Sequence, residues 1–304
     1  MLKEREHITY NPEAVELGYR KCQAQSKRFF NSYLWISSNL PGEKRRAIDT
    51  LAYHLRNCLE LLDLQSSNGL PLDVWSEIRE DVSDAFLDHC TTNELAALVD
   101  TARKYKIPKQ FLFDPVESAD SWIRSRKFET SDDLTSFCMR FGGSFVSALV
   151  PILEAVKTDY ELTALRCGQA IMLTQILAES VTHLKHNKNF LALEDIEQFQ
   201  VDLDRVQMRQ FEPEFAQLVR LYCRRIEKLF REAGKLVNYL DYDGVRTIKS
   251  LLSVHWKLLQ KMRSDPQSIL ADEPQLSFAE RLSLRSRHLL GMEGNIPIFP
   301  DEHH

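Results

Sequence analysis

Residues 19–30 read Tyr19-Arg20-Lys21-Cys22-Gln23-Ala24-Gln25-Ser26-Lys27-Arg28-Phe29-Phe30. The stretch continues through Leu40-Pro41, Lys44-Arg45-Arg46-Ala47-Ile48, Leu55-Arg56 and Leu59-Glu60-Leu61-Leu62-Asp63. Leu17, Tyr19, Cys22, Phe29 and Leu34 recur with helical period, which predicts a helix from Glu13 that ends at Leu40-Pro41-Gly42. A second helix is expected from Glu43 to Leu64. It is stopped by Ser66-Ser67-Asn68-Gly69 with Pro71 beyond.

The same period extends along the rest of the chain. Helices are expected over 73–88, over 93–105 with Thr92-Asn93 as its cap, near 115–126, and over 134–155 after a start at Thr130 to Asp133. The segment 160–186 is long and apolar on most faces, so it belongs at the centre. Further helices are expected over 207–240, 245–261 and 278–290. No repeat, low-complexity stretch or strand alternation interrupts the pattern. The fold class is therefore all-α, a helical bundle, organised as an extension (1–12), one helical domain (13–290) and a flexible tail (291–304).

Composition supports this reading. Among 304 residues there are only 10 glycines and 11 prolines, too few for a turn-rich β fold or a Gly-loop nucleotide fold. Apolar residues make up 43%, enough for a large core. The formal charge of −5 argues against a dedicated nucleic-acid binder. Six scattered cysteines form no Cys-x-x-Cys pair and signal no zinc site. The charged start and the lack of an 18-residue apolar run predict a cytoplasmic protein with free thiols and no membrane span.

The 19–63 stretch resembles the opening of the squalene/phytoene synthase family. That opening has a cysteine, a Ser-Lys-(Ser/Arg)-Phe element, a Leu-Pro, a Lys-Arg-x-Ala run, and a Cys-Arg ahead of an aspartate-rich motif. Later matches keep the family order: Tyr105-Lys106-Ile107-Pro108, Thr130 to Leu134, Phe137-Cys138 to Gly143-Ser144, Gly168-Gln169-Ala170, and Leu173-Thr174-Gln175-Ile176-Leu177. The resemblance spans about residues 15–290. It implies an isoprenoid-synthase fold around a central cavity and head-to-head condensation of two prenyl diphosphates. It also implies Mg²⁺ held by two Asp-x-x-x-Asp motifs, since residues four apart share a helix face and hard Mg²⁺ takes oxygen ligands.

The motif positions depart from the family. The first motif reads Leu59-Glu60-Leu61-Leu62-Asp63, so its first aspartate is Leu59. The second reads Ala178-Glu179-Ser180-Val181-Thr182-His183, so Arg-Asp becomes Ala178-Glu179 and the last aspartate becomes His183. The resemblance carries catalytic roles to Asp63, Glu179 and His183, metal-holding roles to Glu60, Asp63 and Glu179, and ligand-facing roles to Ser26, Arg56, Phe137, Phe141, Met172 and Gln175. Glu179 and His183 read either as an acid/base or metal pair or, the favoured reading, as a hydrogen-bonded remnant of the motif. Arg56 and Ser26 read as a phosphate wall or as part of a solvated basic face. Leucine is no Mg²⁺ ligand and histidine a poor one. Two functions follow: a divergent prenyltransferase using Mg²⁺, or a non-catalytic relative serving as a prenyl-binding, assembly or regulatory partner. The expected partners are a prenyl diphosphate or other isoprenoid lipid, a protein partner in the second case, and peripheral contact with the inner membrane face.

Overall fold

The structure, a computed structural model, describes residues 8–29, 34–68, 73–271 and 273–292. The chain folds as α1 (Pro12–Phe29), a 3-10 turn (Leu34–Ser37), α2 (Gly42–Asn68), α3 (Val74–Ala85), α4 (Asn93–Lys104), α5 (Gln110–Ser125) and α6 (Ser131–Cys138). A π-helical segment (Met139–Gly143) joins α6 to α7 (Ser144–Ile152). Then come α8 (Glu161–Ala178), α9 (Ser180–Lys185), α10 (Leu193–Phe199), α11 (Leu203–Gln207) and α12 (Pro213–Ala233). A 3-10 segment (Gly234–Tyr239) leads to α13 (Tyr242–Ser264), α14 (Ser268–Ala271) and α15 (Phe278–Leu289). The architecture is all-α, as expected. Two short strands, β1 (Ile8–Thr9) and β2 (His89–Cys90), pair antiparallel with Ile8 opposite Cys90. At two residues each they are too short to register as alternation. They tie part of the expected 1–12 extension to the body. The expected tail lies outside the described residues from 293 onward.

Local signals set most helix ends. Thr92 Oγ1 accepts the Leu95 N–H at 3.2 Å and caps α4. Thr130 and Asp133 form a reciprocal capping box on α6, at 3.2 and 2.9 Å. Helix α5 begins earlier than Pro115, which lies inside it and is buried. Helix α8 is buried on most of its circumference and packs against α6, the π segment, α7, α12 and α13. Its close fit with the π segment depends on glycine. A Cβ on Gly168 would sit 2.1 Å from the Gly142 carbonyl oxygen, and one on Gly142 would sit 2.7 Å from that of Gly168. The π segment is also held from α5, where buried Asp114 accepts from Arg140 at 3.0 Å and from Ser144 Oγ at 2.9 Å.

The expected continuous helix over 160–186 is interrupted at Glu179. Ser180 Oγ donates to the Leu177 carbonyl at 2.8 Å, a local bond that competes with the helical ladder. The chain resumes at once, with His183 N–H on the Glu179 carbonyl at 2.8 Å. This places Glu179 at the joint between α8 and α9.

Candidate functional site

Helices α2, α8–α9, α13 and α15 enclose a cavity of about 440 Å³. Helix α2 contributes Arg56, Leu59 and Leu62, and α8–α9 contribute Met172, Gln175, Ile176, Glu179 and His183. These recur three or four residues apart, so each set occupies one helix face. Val254 and Leu258 of α13, with Trp35 and Phe190, complete an apolar wall. The rim is built by residues 273–276 together with Arg281 and Leu284 of α15.

The polar groups are few. Arg56 Nε donates to Glu60 Oε1 at 3.0 Å, one helical turn along α2. His183 Nε2 lies 3.5 Å from Glu179 Oε2, and its ring packs on Phe190 with centroids 4.8 Å apart. His183 Nδ1 is buried without a hydrogen-bond partner among the described residues. His255 Nδ1 sits 2.9 Å from the Leu251 carbonyl, which only accepts, so that nitrogen carries the proton. His255 Nε2 then accepts from the Gln175 amide at 3.2 Å. Burial lowers the His255 pKa, so the ring stays neutral and holds Gln175 in one orientation.

Of the residues singled out from sequence, Arg56, Met172, Gln175, Glu179 and His183 meet in this cavity, together with Leu59. Glu60 lines a separate cavity of about 330 Å³ between α2, α3 and α4 and reaches the central site only through Arg56. Ser26 is buried and donates to the Asp49 carbonyl at 3.2 Å. Phe137 and Phe141 are buried and stack on each other with centroids 5.4 Å apart. Phe137 also meets Phe190 at 6.3 Å, so this pair backs the cavity wall and does not line it. Asp63 lies on α2 one turn beyond Leu59, and its side chain lies outside the described residues. Sequence reading did not find Glu273, Gln275, Leu258 or Leu284. The first two lie beside Pro274, between α14 and α15, and nothing in a loop's periodicity marks which residues line a rim.

The donor set bears on magnesium. Among the described residues no three His, Cys, Asp or Glu side chains gather closely enough to hold a metal ion. Glu179 offers one carboxylate, its helical partner His183 a nitrogen, and Glu273 a second carboxylate from the rim. Mg²⁺ asks for near-octahedral oxygen ligation. The described lining does not fit a magnesium cluster. What it offers is a chamber walled mostly by apolar side chains, with two cations, Arg56 and Arg281, and two carboxylates, Glu179 and Glu273, in its lining.

Comparison with known proteins places this geometry. The squalene/phytoene synthase family profile matches residues 27–286. The chain is 22% identical over 237 residues to the 4,4'-diapophytoene synthase of Staphylococcus haemolyticus, covering 75% of this chain and 80% of that protein. It is 22% identical over 258 residues to the 15-cis-phytoene synthase of Synechococcus elongatus, covering 80% and 82%. Among solved structures, a dehydrosqualene synthase in complex with ligand superposes with a TM-score of 0.81 at 18% identity, over 92% of this chain and 98% of that one. Squalene synthase HpnC from Alicyclobacillus acidocaldarius superposes with a TM-score of 0.73 at 16% identity, over 84% and 96%. The chain belongs to the squalene/phytoene synthase family.

Proposed function

We propose that the cavity binds an isoprenoid chain with an anionic head and has lost the magnesium-dependent ionisation step through which the family condenses prenyl diphosphates. One observation carries the reading: Leu59 and His183 both line the cavity. By resemblance these are positions of metal-holding aspartates, and here they present an alkyl group and an imidazole. Met172 and Ile176 extend the apolar wall between them. Arg56, steadied by Glu60, is the cation for the head group, and Gln175, fixed by His255, supplies polar contact beside it. Asp63 and Glu179 are the acids left by the two motifs, too few for paired bridging of a diphosphate. Phe137 and Phe141 act through the packing behind Phe190, and Ser26 through the α1–α2 contact. Residues 13–290 form the unit that builds the site, working on the cytoplasmic side of the membrane that holds such lipids.

The test is incubation with farnesyl or geranylgeranyl diphosphate and Mg²⁺ or Mn²⁺, with and without NADPH. Extracts are analysed for hydrocarbon and for cyclopropyl diphosphate, and thermal unfolding is followed in parallel. The expected outcome is ligand-dependent stabilisation, about 2.7 kcal/mol at a hundredfold excess over Kd, with no condensed product. A product that disappears in Glu179→Ala overturns the loss of chemistry and restores the synthase reading. No stabilisation and no product overturns the lipid site and leaves an assembly or regulatory role.

A further inference from the structure

Helix α15 is amphipathic in the reverse sense. A surface helix ordinarily buries its apolar stripe and shows polar residues to water. Here the inward face is Glu280, Leu284 and His288, four residues apart. Glu280 closes the capping box with Ser277 and accepts from Lys261 Nζ at 2.8 Å. His288 is buried, with Ser250 Oγ 2.7 Å from its Nδ1 and the Trp35 ring edge-on at 5.4 Å. Arg246 also donates to the His288 carbonyl. The helix is therefore fastened to α13 by polar groups.

The outward face is apolar. Phe278 is 75% exposed, Leu282 52%, Leu289 59% and Leu290 66%. At 100° per residue, Phe278, Leu282 and Leu289 fall within about 40° of one another. Met292 and Tyr242 extend the patch. Both are exposed, and Tyr242 reaches to within 3.2 Å of where a Cβ on Gly291 would stand. Arg285 and Arg281 border the stripe on one side, about 20° and 60° from Phe278, and Arg287 lies beyond Leu290 on the far side, against the single acid Glu280 that faces inward. Among the described residues none of these arginines is paired with a carboxylate. In a chain of net charge −5, this helix is locally basic.

We propose that α15 is an interfacial helix that seats the protein on an anionic lipid surface, with the cavity mouth turned toward the bilayer. An apolar stripe bordered by arginines matches lipid chains below and anionic headgroups beside them. Arg281, which borders the stripe, also lines the cavity rim together with Leu284 of the inward face. A hydrocarbon too insoluble to cross water thereby enters or leaves at the membrane. A second copy of the chain fits this face less well. Two-fold pairing would set the flanking arginines of one copy near those of the other, and charge is depleted from the cores of such interfaces. The docking deepens the reading of the cavity as a lipid site and rests on it for its purpose.

The experiment is vesicle flotation of the full chain with no isoprenoid added. It uses equimolar phosphatidylglycerol/phosphatidylcholine vesicles and pure phosphatidylcholine vesicles. The wild type is expected to float with the anionic vesicles. The double variant Phe278→Glu/Leu282→Glu is expected to lose roughly tenfold or more in partitioning, and Arg285→Gln/Arg287→Gln to lose the preference for phosphatidylglycerol. Thermal midpoints should match the wild type, since these side chains are exposed. A wild type that stays out of every vesicle fraction, or partitioning untouched by the double variant, overturns the proposal. So does a dimer in sedimentation that Phe278→Glu/Leu282→Glu dissolves, which assigns the face to a second copy. Because no isoprenoid is present, failure here leaves the cavity reading standing, and failure of ligand stabilisation leaves a positive flotation result intact.

Discussion

On the proposed reading Leu59 and His183 decide how the cavity behaves, because each lines it one helical turn from an acid. Restoring carboxylates at both is a direct test of what they removed. In Leu59→Asp/His183→Asp, the four acids of two i, i+4 pairs return to facing helices. Affinity for farnesyl diphosphate is then expected to become Mg²⁺-dependent, by roughly 1.5–3 kcal/mol for each recovered charge-assisted contact. Titration with and without Mg²⁺ reads the change; equal affinity under both conditions counts against it. These residues were legible in the sequence because the flanking matches fixed their register. Ser26 shows the limit of such matching, since its hydroxyl turns to the α2 backbone at Asp49. Asp49 itself is pushed up to about 6, chiefly by burial, against the pull of Ser26, Lys27 and Arg45. An unfolded aspartate titrates near ~3.9, so the native state holds the proton more tightly. That contribution to stability is present below about pH 4 and is lost as pH rises through about 6. Asp49→Asn is therefore expected to be more stable than the wild type at pH 8, by about 1–3 kcal/mol, with the advantage vanishing below about pH 4. Urea unfolding at the two pH values checks it; a pH-independent difference contradicts it.

At the scale of elements, the position of α8 against the π segment governs where Met172, Gln175 and Glu179 stand. Gly168→Ala puts a methyl group 2.1 Å from the Gly142 carbonyl oxygen. Neither backbone yields cheaply, so a loss of at least about 1–3 kcal/mol is expected, read as a lower urea midpoint. An unchanged midpoint contradicts the close crossing. The long helices and their caps were legible because periodicity and Thr92 or Thr130 are local signals. The interruption at Glu179 was not, because a serine on an apolar helix is compatible with continuation until its hydroxyl bonds backward. Helices α10 and α11 fell between expected elements for another reason. They are seven and five residues long, too short for a 3.6-residue period to emerge.

Across the whole molecule, the all-α fold followed from scarce glycine and proline and from sustained helical periodicity. The cavity followed only in part. Its α2 and α8–α9 walls lie in contiguous, periodic stretches. Its α13 wall and its rim at 273–284 join them through contacts distant in sequence, which no single stretch announces. The reversed polarity of α15 was hidden similarly. Its sequence reads as an ordinary amphipathic helix, and only packing against α13 shows which face is inside. Among the described residues no helix is long and apolar enough to cross a membrane. The central claim is that this cavity holds an isoprenoid chain by apolar contact and by its own cations, without a metal cluster. Calorimetric titration of the full chain with farnesyl diphosphate, in Mg²⁺ and again in excess EDTA, addresses it most directly. The account predicts Kd values within about threefold of each other, a difference under ~0.7 kcal/mol. Binding that weakens by about a hundredfold or more in EDTA, near ~2.8 kcal/mol, contradicts it.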